Sequence, residues 1–599
     1  MTENADKKTK ILSSIKYMFQ VIWEHGRKYL LYMILEIILK PVRSVWTVML
    51  PMKIVENLTG HDLPGAIRYA SAFLIGELVI KTVLDYLNYR SHVCEDSFDY
   101  IFYEEFCGIC MEMPYEVTEN SRKLDRIQDA KNGLDWSGRV ACAVDAVKEI
   151  IAAVISLLSV FSIICKDTPL LILPVVFIVI MEGRFQKKEI EENQRYCSVL
   201  PGLNRKMDYY LHETSSYEYG KDIRLYGAKA LLLDRAQKVA DENAEEMKKT
   251  AKRTADIRAF SLVLETVCDV LQYLYVGIYA LMNHVPIARF TMLISSTSVM
   301  ASSVQTMFRE YNNMLEGTEY FYRYWAFTRS PEYREDAGAR ARKPEARGAH
   351  VIELRNVCFS YPETDREILR DINLVIRPGE KLSIVGRNGE GKTTLIKLIC
   401  GLYRPSAGRI LLDGVDICEY DPKEYRKLLA PVFQDFRLFA APVEDNIVLD
   451  GVTDTEKLNA ALKKYGMYDK IRSLRAGPRN ELLREFDEEG YQPSGGESQK
   501  LALVRADYRD VPFIILDEPT AALDPAAEYS LYRDVRENME DKTILFISHR
   551  MSSCKFCDRI IVLSEGKIAE EGIHSELMKK RGVYSKLFEA QAENYGEGK

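Results

Sequence analysis

Residues 382–396 read Leu-Ser-Ile-Val-Gly-Arg-Asn-Gly-Glu-Gly-Lys-Thr-Thr-Leu-Ile, and they predict the fold of the C-terminal half of the chain. Its apolar start is typical of a buried strand, residues 386–393 fit the pattern G-x-x-x-x-G-K-[ST], and the apolar spacing that follows predicts a helix. The glycines let backbone N–H groups close around a polyphosphate, and the helix N-terminus adds partial positive charge. Lys392 can reach the β- and γ-phosphates, and the Thr393 hydroxyl can bind Mg²⁺. The stretch therefore predicts a phosphate loop that binds ATP or a close relative.

A second predicted strand, further along the chain, ends in two carboxylates. Residues 513–516 are Phe-Ile-Ile-Leu, and Asp517 and Glu518 follow them directly. Beside a phosphate loop, the first carboxylate is placed to organise Mg²⁺ and the second to polarise the water that attacks the γ-phosphate. Acidic pairs also end strands without any chemical role, but the phosphate loop favours the chemical interpretation for Asp517 and Glu518.

The length and charge of the chain limit the classes of protein to which it can belong. It has 599 residues, too many for one ordinary core, so at least two domains are expected. The formal net charge of −7 gives no reason to expect nucleic-acid binding. The 12 cysteines include two C-x-x-C pairs, Cys107/Cys110 and Cys554/Cys557, but a zinc site needs a second pair nearby and these lie in different predicted domains. We therefore expect buried or unreactive thiols in a reducing compartment.

Apolar segments of membrane-spanning length recur in the first half of the chain. They predict six spans, at residues 29–50, 67–88, 147–165, 169–184, 259–282 and 287–308. The alternative is a set of buried helices in a large soluble protein. An even number of spans puts both termini on one side of the membrane. The Lys-rich start and the long charged connections, residues 89–146 and 185–258, favour the cytoplasm for that side.

Several of the predicted spans contain charged residues. Glu36 and Lys40 lie in the first span, Glu77 and Lys81 in the second, and Asp269 in the fifth. A charge at the centre of a bilayer costs at least about 2.5–3.5 kcal/mol unless it faces protein or water. One interpretation is a water-filled transport path between the helices. The other is a set of internal ion pairs, such as Glu36 with Lys40 one turn later, or charges that lie at the edge of the membrane. Both interpretations remain open at this point.

A polar segment separates the two halves of the chain. Residues 329–349 lack apolar periodicity and are predicted to be a linker. The domain that follows begins with two predicted strands, residues 351–354 and 357–359. The predicted domains are therefore a transmembrane domain at residues 1–328 and a nucleotide-binding domain at residues 350–599. The predicted fold class is an all-α six-helix transmembrane domain with two long cytoplasmic helical extensions, followed by an α/β P-loop NTPase domain.

A family resemblance rests on a third motif, which lies shortly before the acidic pair. Residues 493–497 read Pro-Ser-Gly-Gly-Glu and lead into a predicted helix at residues 498–506. This motif resembles the signature of the ATP-binding cassette (ABC) transporters, which reads Leu-Ser-Gly-Gly-Gln. The phosphate loop and the acidic pair are also motifs of that family, and the three occur here in the family's order. In the first half of the chain, residues 113–116 (Met-Pro-Tyr-Glu) and 220–227 (Gly-Lys-Asp-Ile-Arg-Leu-Tyr-Gly) resemble the two intracellular coupling segments of exporter-type half-transporters. The whole chain therefore resembles such a half-transporter, in which one membrane domain is fused to one cassette.

The resemblance implies roles for individual residues. Tyr361 corresponds to the aromatic residue that stacks on adenine, Gln434 to the glutamine that senses Mg²⁺ and the attacking water, and His549 to the histidine that contacts the γ-phosphate. The implied catalytic residues are Glu518, His549 and Gln434, and the implied Mg²⁺ ligands are Thr393, Gln434 and Asp517. The implied ATP contacts are Tyr361, Gly386, Asn388, Gly389, Gly391, Lys392, Thr393, Thr394, Ser494, Gly495, Gly496 and Asp524, the last of these in a loop that crosses the dimer interface.

Two residues of the signature depart from the family pattern. Glu497 stands where the family has Gln, and Pro493 stands where it has Leu. Ser494 and Glu497 still fit a capping box, with Ser at the N-cap and an acid three residues later. Pro493 removes a backbone donor and an apolar contact. We therefore expect a functional signature that is somewhat weakened.

The resemblance also implies a function. Cassettes of this family dimerise head to tail, so one cassette per chain implies a second half-transporter as partner, in a homodimer or a heterodimer. The expected activity is ATP-driven export of a peptide, a lipid or an amphipathic, drug-like molecule, with Mg²⁺ as the metal. The expected location is the plasma membrane, with lipid as a partner and with the cassette and both termini in the cytoplasm. ATP-driven uptake on the same scaffold and an ATP-gated channel or sensor are the alternatives, and no nucleic-acid partner is expected.

Overall fold

The structure is a computed structural model, which describes residues 2–135, 142–164, 172–211, 214, 217–335, 342–345, 348–362, 364, 366–449, 451–518, 532–533, 539, 541–547 and 551–596. The contacts between residues divide the chain into two compact units. The first unit comprises Met1–Met113 and Val117–Arg334, and the second comprises Pro114–Glu116 and Glu335–Lys599. The boundary between the long segments of the two units falls between Arg334 and Glu335.

The N-terminal part of the chain is helical. Its helices are α1 (Thr2–His25), α2 (Arg27–Thr59), α3 (Leu63–Glu112), α4 (Tyr115–Thr118), α5 (Ser121–Asp135), α6 (Cys142–Ile164), α7 (Ile172–Leu211), α8 (Tyr217–Leu225), α9 (Lys229–Met282) and α10 (Ile287–Arg329). Within the described residues, each predicted span lies inside one long helix, in the order α2, α3, α6, α7, α9 and α10. Residue 165 and residues 169–171 of the predicted spans lie outside the described part. Among the described helices, α6 and α9 are long and apolar enough to cross a membrane by a test of length and hydropathy.

An aromatic core holds α3 against α10 in the first unit. The ring of Phe102 lies edge-on to the rings of Phe321 and Tyr324, at centroid distances of 5.4 and 5.7 Å. All three side chains are buried. Tyr324 and Tyr17 of α1 both donate hydrogen bonds to the carboxylate of Glu105, at 2.5 and 2.7 Å. Edge-on aromatic pairs stabilise beyond the apolar area that they bury, so this cluster fixes α1, α3 and α10 together.

Charged residues of the first and third predicted spans pair with one another and with Asp145, just before the third span. Lys148 of α6 lies 3.1 Å from Glu36 of α2 and 2.8 Å from Asp145. Lys40 of α2 lies 3.3 Å from Glu36 and also contacts Glu149 of α6. Glu36 and Lys148 are almost fully buried. For these residues the ion-pair interpretation is therefore the observed one, and the pairs join α2 to α6.

The second unit contains two sheets within its described part. Its strands are β1 (Ile352–Ser360), β2 (Glu367–Ile376), β3 (Lys381–Gly386), β4 (Ala407–Leu412), β5 (Val415–Asp416), β6 (Leu429–Val432), β7 (Phe513–Asp517), β8 (Thr543–Ile547), β9 (Arg559–Ser564) and β10 (Lys567–Gly572). The first sheet is antiparallel, with the order β2-β1-β4-β5. The second has the order β10-β9-β3-β8-β7-β6 and is parallel except for the pair of β9 with β10. The helices are α11 (Lys392–Ile399), α12 (Pro422–Arg426), α13 (Val443–Val448), α14 (Thr455–Lys464), α15 (Tyr468–Arg472), α16 (Gly495–Tyr508), α17 (His574–Lys580) and α18 (Val583–Gly596).

Strand β1 corrects one sequence prediction. The sequence predicts two strands, residues 351–354 and 357–359, whereas the structure has one continuous strand. Asn356 has a φ of +48°, and the register with β2 shifts between Leu354 and Val357. A β-bulge of this kind interrupts the alternation of inward and outward side chains. The two-strand prediction is wrong because the bulge resembles a break in the sequence pattern.

The parallel sheet brings the nucleotide motifs to one edge. Strands β7 and β8 are buried along their whole length, which explains their unbroken apolar sequences. The phosphate loop follows β3, the acidic pair Asp517 and Glu518 follows the apolar part of β7, and β8 lies between these two strands. The carboxyl ends of parallel strands lie at the same edge, which is where ligands bind in open α/β sheets.

Candidate functional site

The phosphate loop joins β3 to α11, as its sequence predicts. Gly386 ends β3, Asn388 follows in the loop, and Gly389 and Gly391 have φ values of +82° and +93°. A Cβ atom at position 391 would lie only 2.8 Å from Cδ2 of Leu369. Glycine is therefore required there for both the backbone angle and the space. The helix α11 begins at the next residue, so its first N–H groups are directed toward the loop.

The side chain of Lys392 points back into the phosphate loop. Only 6% of the residue is exposed, and its Nζ donates to the carbonyl oxygens of Gly386 at 2.9 Å and Arg387 at 3.0 Å. Burial lowers the pKa of Lys392, and the nearby carboxylates of Glu518 and Asp517 act in the opposite direction. The three charged groups therefore share one region at the edge of the parallel sheet.

Asp517 has the properties expected of a metal ligand. It is 2% exposed, and the Thr393 side chain hydrogen-bonds to it. Its Oδ1 atom is buried and has no hydrogen-bond partner among the described residues. Burial raises the pKa of Asp517 to about 6, and the neighbouring carboxylates of Glu518 and Asp435 add to the increase. A hard divalent cation such as Mg²⁺ prefers carboxylate and hydroxyl oxygens, so Asp517 and Thr393 fit this ion.

Glu518 is held by its backbone at the end of β7. Its φ is +51°, in the left-handed region that costs a non-glycine residue free energy. Its N–H donates to the carbonyl oxygen of Ile547, the last residue of β8, at 3.0 Å. The side chain of Glu518 is half-buried beside Asp517. The neighbouring strand thus stabilises a strained conformation at the residue that the sequence predicts to be the general base.

Tyr361 lies against the first turn of α11. Its hydroxyl is 2.9 Å from the Oγ1 atom of Thr394, and either atom can be the donor. Its half-buried ring lies edge-on to Phe359, with centroids 5.1 Å apart, and edge-on to Tyr403, with centroids 5.6 Å apart. The predicted adenine-stacking residue is therefore next to the predicted phosphate site.

Tyr403 is a neighbour of Tyr361 that no sequence motif predicts. It follows α11 in the stretch Gly401-Leu402-Tyr403, which matches none of the nucleotide motifs. In the second unit its ring is buried and lies 5.7 Å from the ring of Tyr115, and Nζ of Lys397 is 5.8 Å from its centroid. The only local signal is a bulky aromatic residue shortly after the phosphate-loop helix, and such a residue is usually part of the core.

Gln434 lies at the same edge of the sheet as the acidic pair. Strand β6 pairs in parallel with β7, with Val432 opposite Leu516, and Gln434 comes two residues after Val432. Its side chain is exposed. The topology therefore places Gln434 near Asp517 without a direct contact that would define a role.

The signature residues form the start of α16. Ser494 is the N-cap: its Oγ accepts from the N–H of Glu497 at 3.3 Å, and its own N–H donates to Oε2 of Glu497 at 2.8 Å. This is the predicted capping box, with Gly495 and Gly496 in the first turn. The backbone hydrogen bond from Ser494 lowers the pKa of Glu497, so its carboxylate is charged at neutral pH. In the part of the chain that the structure describes, residues 494–496 make no hydrogen bond to the phosphate loop.

Two of the predicted site residues, Asp524 and His549, lie outside the described residues. The described part of β8 ends at Ile547, which pairs with Asp517 of β7. The roles implied for Asp524 and His549 therefore stay predictions.

Comparison with known proteins gives one family and a group of relatives. Residues 369–521 match the sequence model of the family described as "ABC transporter". The subtilin transport ATP-binding protein SpaT of Bacillus subtilis is 31% identical over 401 residues, which are 66% of this chain and 64% of that protein. The ATP-dependent lipid A-core flippase of Methylobacillus flagellatus is 39% identical over 249 residues, which are 41% of this chain and 42% of the flippase. The corresponding flippase of Burkholderia orbicola is 37% identical over 249 residues, or 42% of this chain and 41% of that protein. The chain thus spans less than two thirds of the length of these curated relatives.

One solved structure has the same fold over almost the whole chain. It is described as a bacterial Atm1-family ABC exporter with ATP bound. The TM-score is 0.78 at 20% sequence identity, and the match covers 94% of this chain and 98% of that one. The predicted fold class, a helical domain followed by a P-loop cassette, is confirmed.

Proposed function

We propose that this chain, a member of the ABC transporter family that joins one helical domain to one cassette, is an ATP-driven exporter of the plasma membrane. The membrane domain would comprise residues 1–328, the linker residues 329–349 and the cassette residues 350–599. The observation that carries the proposal is that the phosphate loop, Asp517 and Glu518 meet at one edge of the parallel sheet. This arrangement combines a polyphosphate site with a metal ligand and a general base.

Each step of ATP hydrolysis has a candidate residue. Lys392 and the N–H groups of the loop would bind the phosphates, and Tyr361 would stack on adenine. Thr393 and Asp517 would hold Mg²⁺, which when bound would neutralise charge on the phosphate oxygens. Glu518 would take the proton of the attacking water.

Gln434 and His549 are proposed to complete the catalytic group. The edge position of Gln434, two residues beyond β6, supports a contact with Mg²⁺ and the attacking water. For His549 the support is the family motif, in which the histidine contacts the γ-phosphate.

The signature would act in a second chain. Within the described residues there is one signature, and no hydrogen bond joins it to the phosphate loop of the same chain; its residues are Ser494, Gly495 and Gly496. A head-to-tail dimer would place these residues and Asp524 against the ATP of the partner. The intact capping box supports a signature that remains functional despite Glu497. The partner would be a second copy or a different half-transporter.

A peptide is the substrate class that we place first. The match to the subtilin transport protein covers 401 residues, which is longer than the second unit, so it includes part of the helical domain. The matches to the lipid A-core flippases are 249 residues long, no longer than a cassette with its linker. Substrates contact the membrane domain, so the longer match favours a peptide, and a lipid or another amphipathic molecule comes second.

Transport into inside-out vesicles tests the proposal. Vesicles that carry the chain should accumulate a labelled amphipathic peptide with ATP and Mg²⁺, and vesicles with the Glu518→Gln variant should not. ATP-dependent loss of preloaded solute would indicate uptake, and a leak that ATP opens without accumulation would indicate a channel. Recovery of the chain in the aqueous fraction without detergent, or no binding of ATP, would refute the membrane or the nucleotide part of the proposal.

A further inference from the structure

The ring of Tyr361 is held at its hydroxyl and along its edges. The hydroxyl lies 2.9 Å from Oγ1 of Thr394, which is 6% exposed. Phe359 and Tyr403 meet the ring at interplanar angles of 79° and 89°. A side chain with these contacts has lost most of its torsional freedom, while the half-buried ring still has surface available to a ligand.

Tyr403 is itself held in place. It is 3% exposed, and its ring lies 5.3 Å from the ring of Phe359 at an angle of 60°. The ammonium group of Lys397, one turn further along α11 than Thr394, is 5.8 Å from the centroid of Tyr403. Tyr403 is therefore a rigid neighbour of Tyr361, because buried Phe359 and the half-buried Lys397 hold its ring in place.

We propose that Tyr403 and Thr394 are positioning residues for the adenine-stacking ring of Tyr361. Tyr403 sets the plane of the ring, and the Thr394 hydroxyl fixes its tip to the helix that follows the phosphate loop. The base and phosphate subsites then keep a constant separation, which lowers the entropy lost when a nucleotide binds. This inference rests on the proposed function, because it requires that Tyr361 stacks on the base.

The proposal predicts that the effect depends on the base of the ligand. Tyr403 contacts the ring of Tyr361, which would bind the base, and it is not one of the loop residues 386–393 that would bind the phosphates. Loss of Tyr403 should therefore weaken ATP binding and leave inorganic tripolyphosphate binding unchanged, because tripolyphosphate has the phosphates but no base. A merely structural role of Tyr403 under α11 would weaken both ligands.

The test measures equilibrium binding of Mg·ATP and Mg·tripolyphosphate to the full chain in detergent. For Tyr403→Leu we expect the Kd for ATP to rise about three- to tenfold and the Kd for tripolyphosphate to change less than about twofold. Tyr403→Phe keeps the ring and should restore ATP affinity to within about twofold of wild type. Tyr361→Phe removes only the hydroxyl and should raise the Kd for ATP about two- to fivefold, again without an effect on tripolyphosphate.

The outcomes separate this inference from the proposed function. Equal weakening of both ligands by Tyr403→Leu, or no weakening of ATP, would overturn the role of Tyr403. If that variant does not yield folded protein, Tyr403→Ile or Tyr403→Met, which also remove the ring but fill its space with side chains of a different shape, take its place with the same expected result. Tyr361→Phe tests the Thr394 contact independently, because it removes one oxygen and no packing. Unchanged ATP affinity in Tyr361→Phe would overturn the role of Thr394. A wild-type chain that binds neither ligand would instead overturn the proposed function.

Discussion

The substitution Asp517→Asn removes a carboxylate that is buried without complete hydrogen bonding. Asp517 is 2% exposed, and burial raises its pKa from the usual 3.8 to about 6. A difference of about two pKa units corresponds to about 3 kcal/mol, at ~1.4 kcal/mol per unit. This is the upper limit of the free energy by which the charged form of Asp517 destabilises the cassette without a metal ion.

The sign of the pH dependence follows from the direction of the shift. Because the folded state binds the proton more tightly than the unfolded chain, this group costs no stability below pH 3.8, and its cost grows until the pH exceeds about 6. Asp517→Asn should therefore raise the midpoint of thermal unfolding of the cassette at pH 8, by up to about 6–12 °C. The difference from wild type should shrink at pH 5.

Differential scanning calorimetry of the full chain in detergent, without and with Mg²⁺, measures this effect. Calorimetry is preferred to tryptophan fluorescence because the four tryptophans, Trp23, Trp46, Trp136 and Trp325, all precede the cassette. The cassette transition is the one that Mg·ATP shifts. At pH 8, Mg²⁺ should stabilise the wild type and have little effect on Asp517→Asn.

A matched control is Asp541→Asn, because the side chain of Asp541 is 82% exposed. It should change neither the midpoint nor its pH dependence. An Asp517→Asn variant that unfolds at a lower temperature than wild type at pH 8 would refute the reasoning. So would a gain in stability that is the same at pH 5 and pH 8, because the cost of burial would then not come from the charge.

Three further predictions concern the base, the signature and the helical unit. Glu518→Gln should bind ATP almost as well as wild type and hydrolyse it at least about 100-fold more slowly in a single-turnover assay, because it keeps the shape and loses the base; full ATPase activity would remove Glu518 from its proposed role. Ser494→Ala removes the cap of α16 and should lower the free energy of unfolding of the cassette by about 1 kcal/mol. Glu497→Gln keeps an oxygen that can accept from the N–H of Ser494, so it should change that free energy by less than about 0.5 kcal/mol. Calorimetry compares the two variants, and equal losses would contradict the capping argument. Lys148→Met removes the buried cation that Glu36 and Asp145 share and leaves Glu36 with Lys40 as its charged partner, so it should lower the free energy of unfolding of the first unit by up to about 3–5 kcal/mol. Tryptophan fluorescence measures this loss, and the double variant with Glu36→Gln should recover part of it; an unchanged stability in Lys148→Met would mean that the pair is not structural.

Local patterns predicted the elements that depend on neighbouring residues. The phosphate loop follows a strand and precedes a helix, and its glycines have the positive φ values that the motif requires. The capping box of Ser494 and Glu497 is formed as the spacing predicts. These features are set within a few residues of chain, so the sequence contains all the information that they need.

Features that join distant segments were not predictable in the same way. Tyr403 meets Tyr361 only because the fold brings α11 and the end of β1 together. Lys40 and Glu149 are 109 residues apart, and their contact depends on the packing of α2 against α6. From the sequence, ion pairs, charges at the membrane edge and a water-filled path are all open for these charged residues, since composition does not determine which faces of two helices meet.

The paired charges between α2 and α6 restrict how the helical unit can move. Sliding or separating these two helices would break the Glu36–Lys148 and Lys40–Glu149 pairs. It would leave buried Glu36 and Lys148 each with a single charged partner on its own helix, in surroundings of low polarity where a partly paired charge is unfavourable. In the transport cycle proposed above, we therefore expect α2 and α6 to move together as one rigid body, with the hinges in other segments. A crosslink between α2 and α6 should therefore leave the rate of ATP hydrolysis unchanged. If the two helices instead move against each other, the same crosslink should lower that rate.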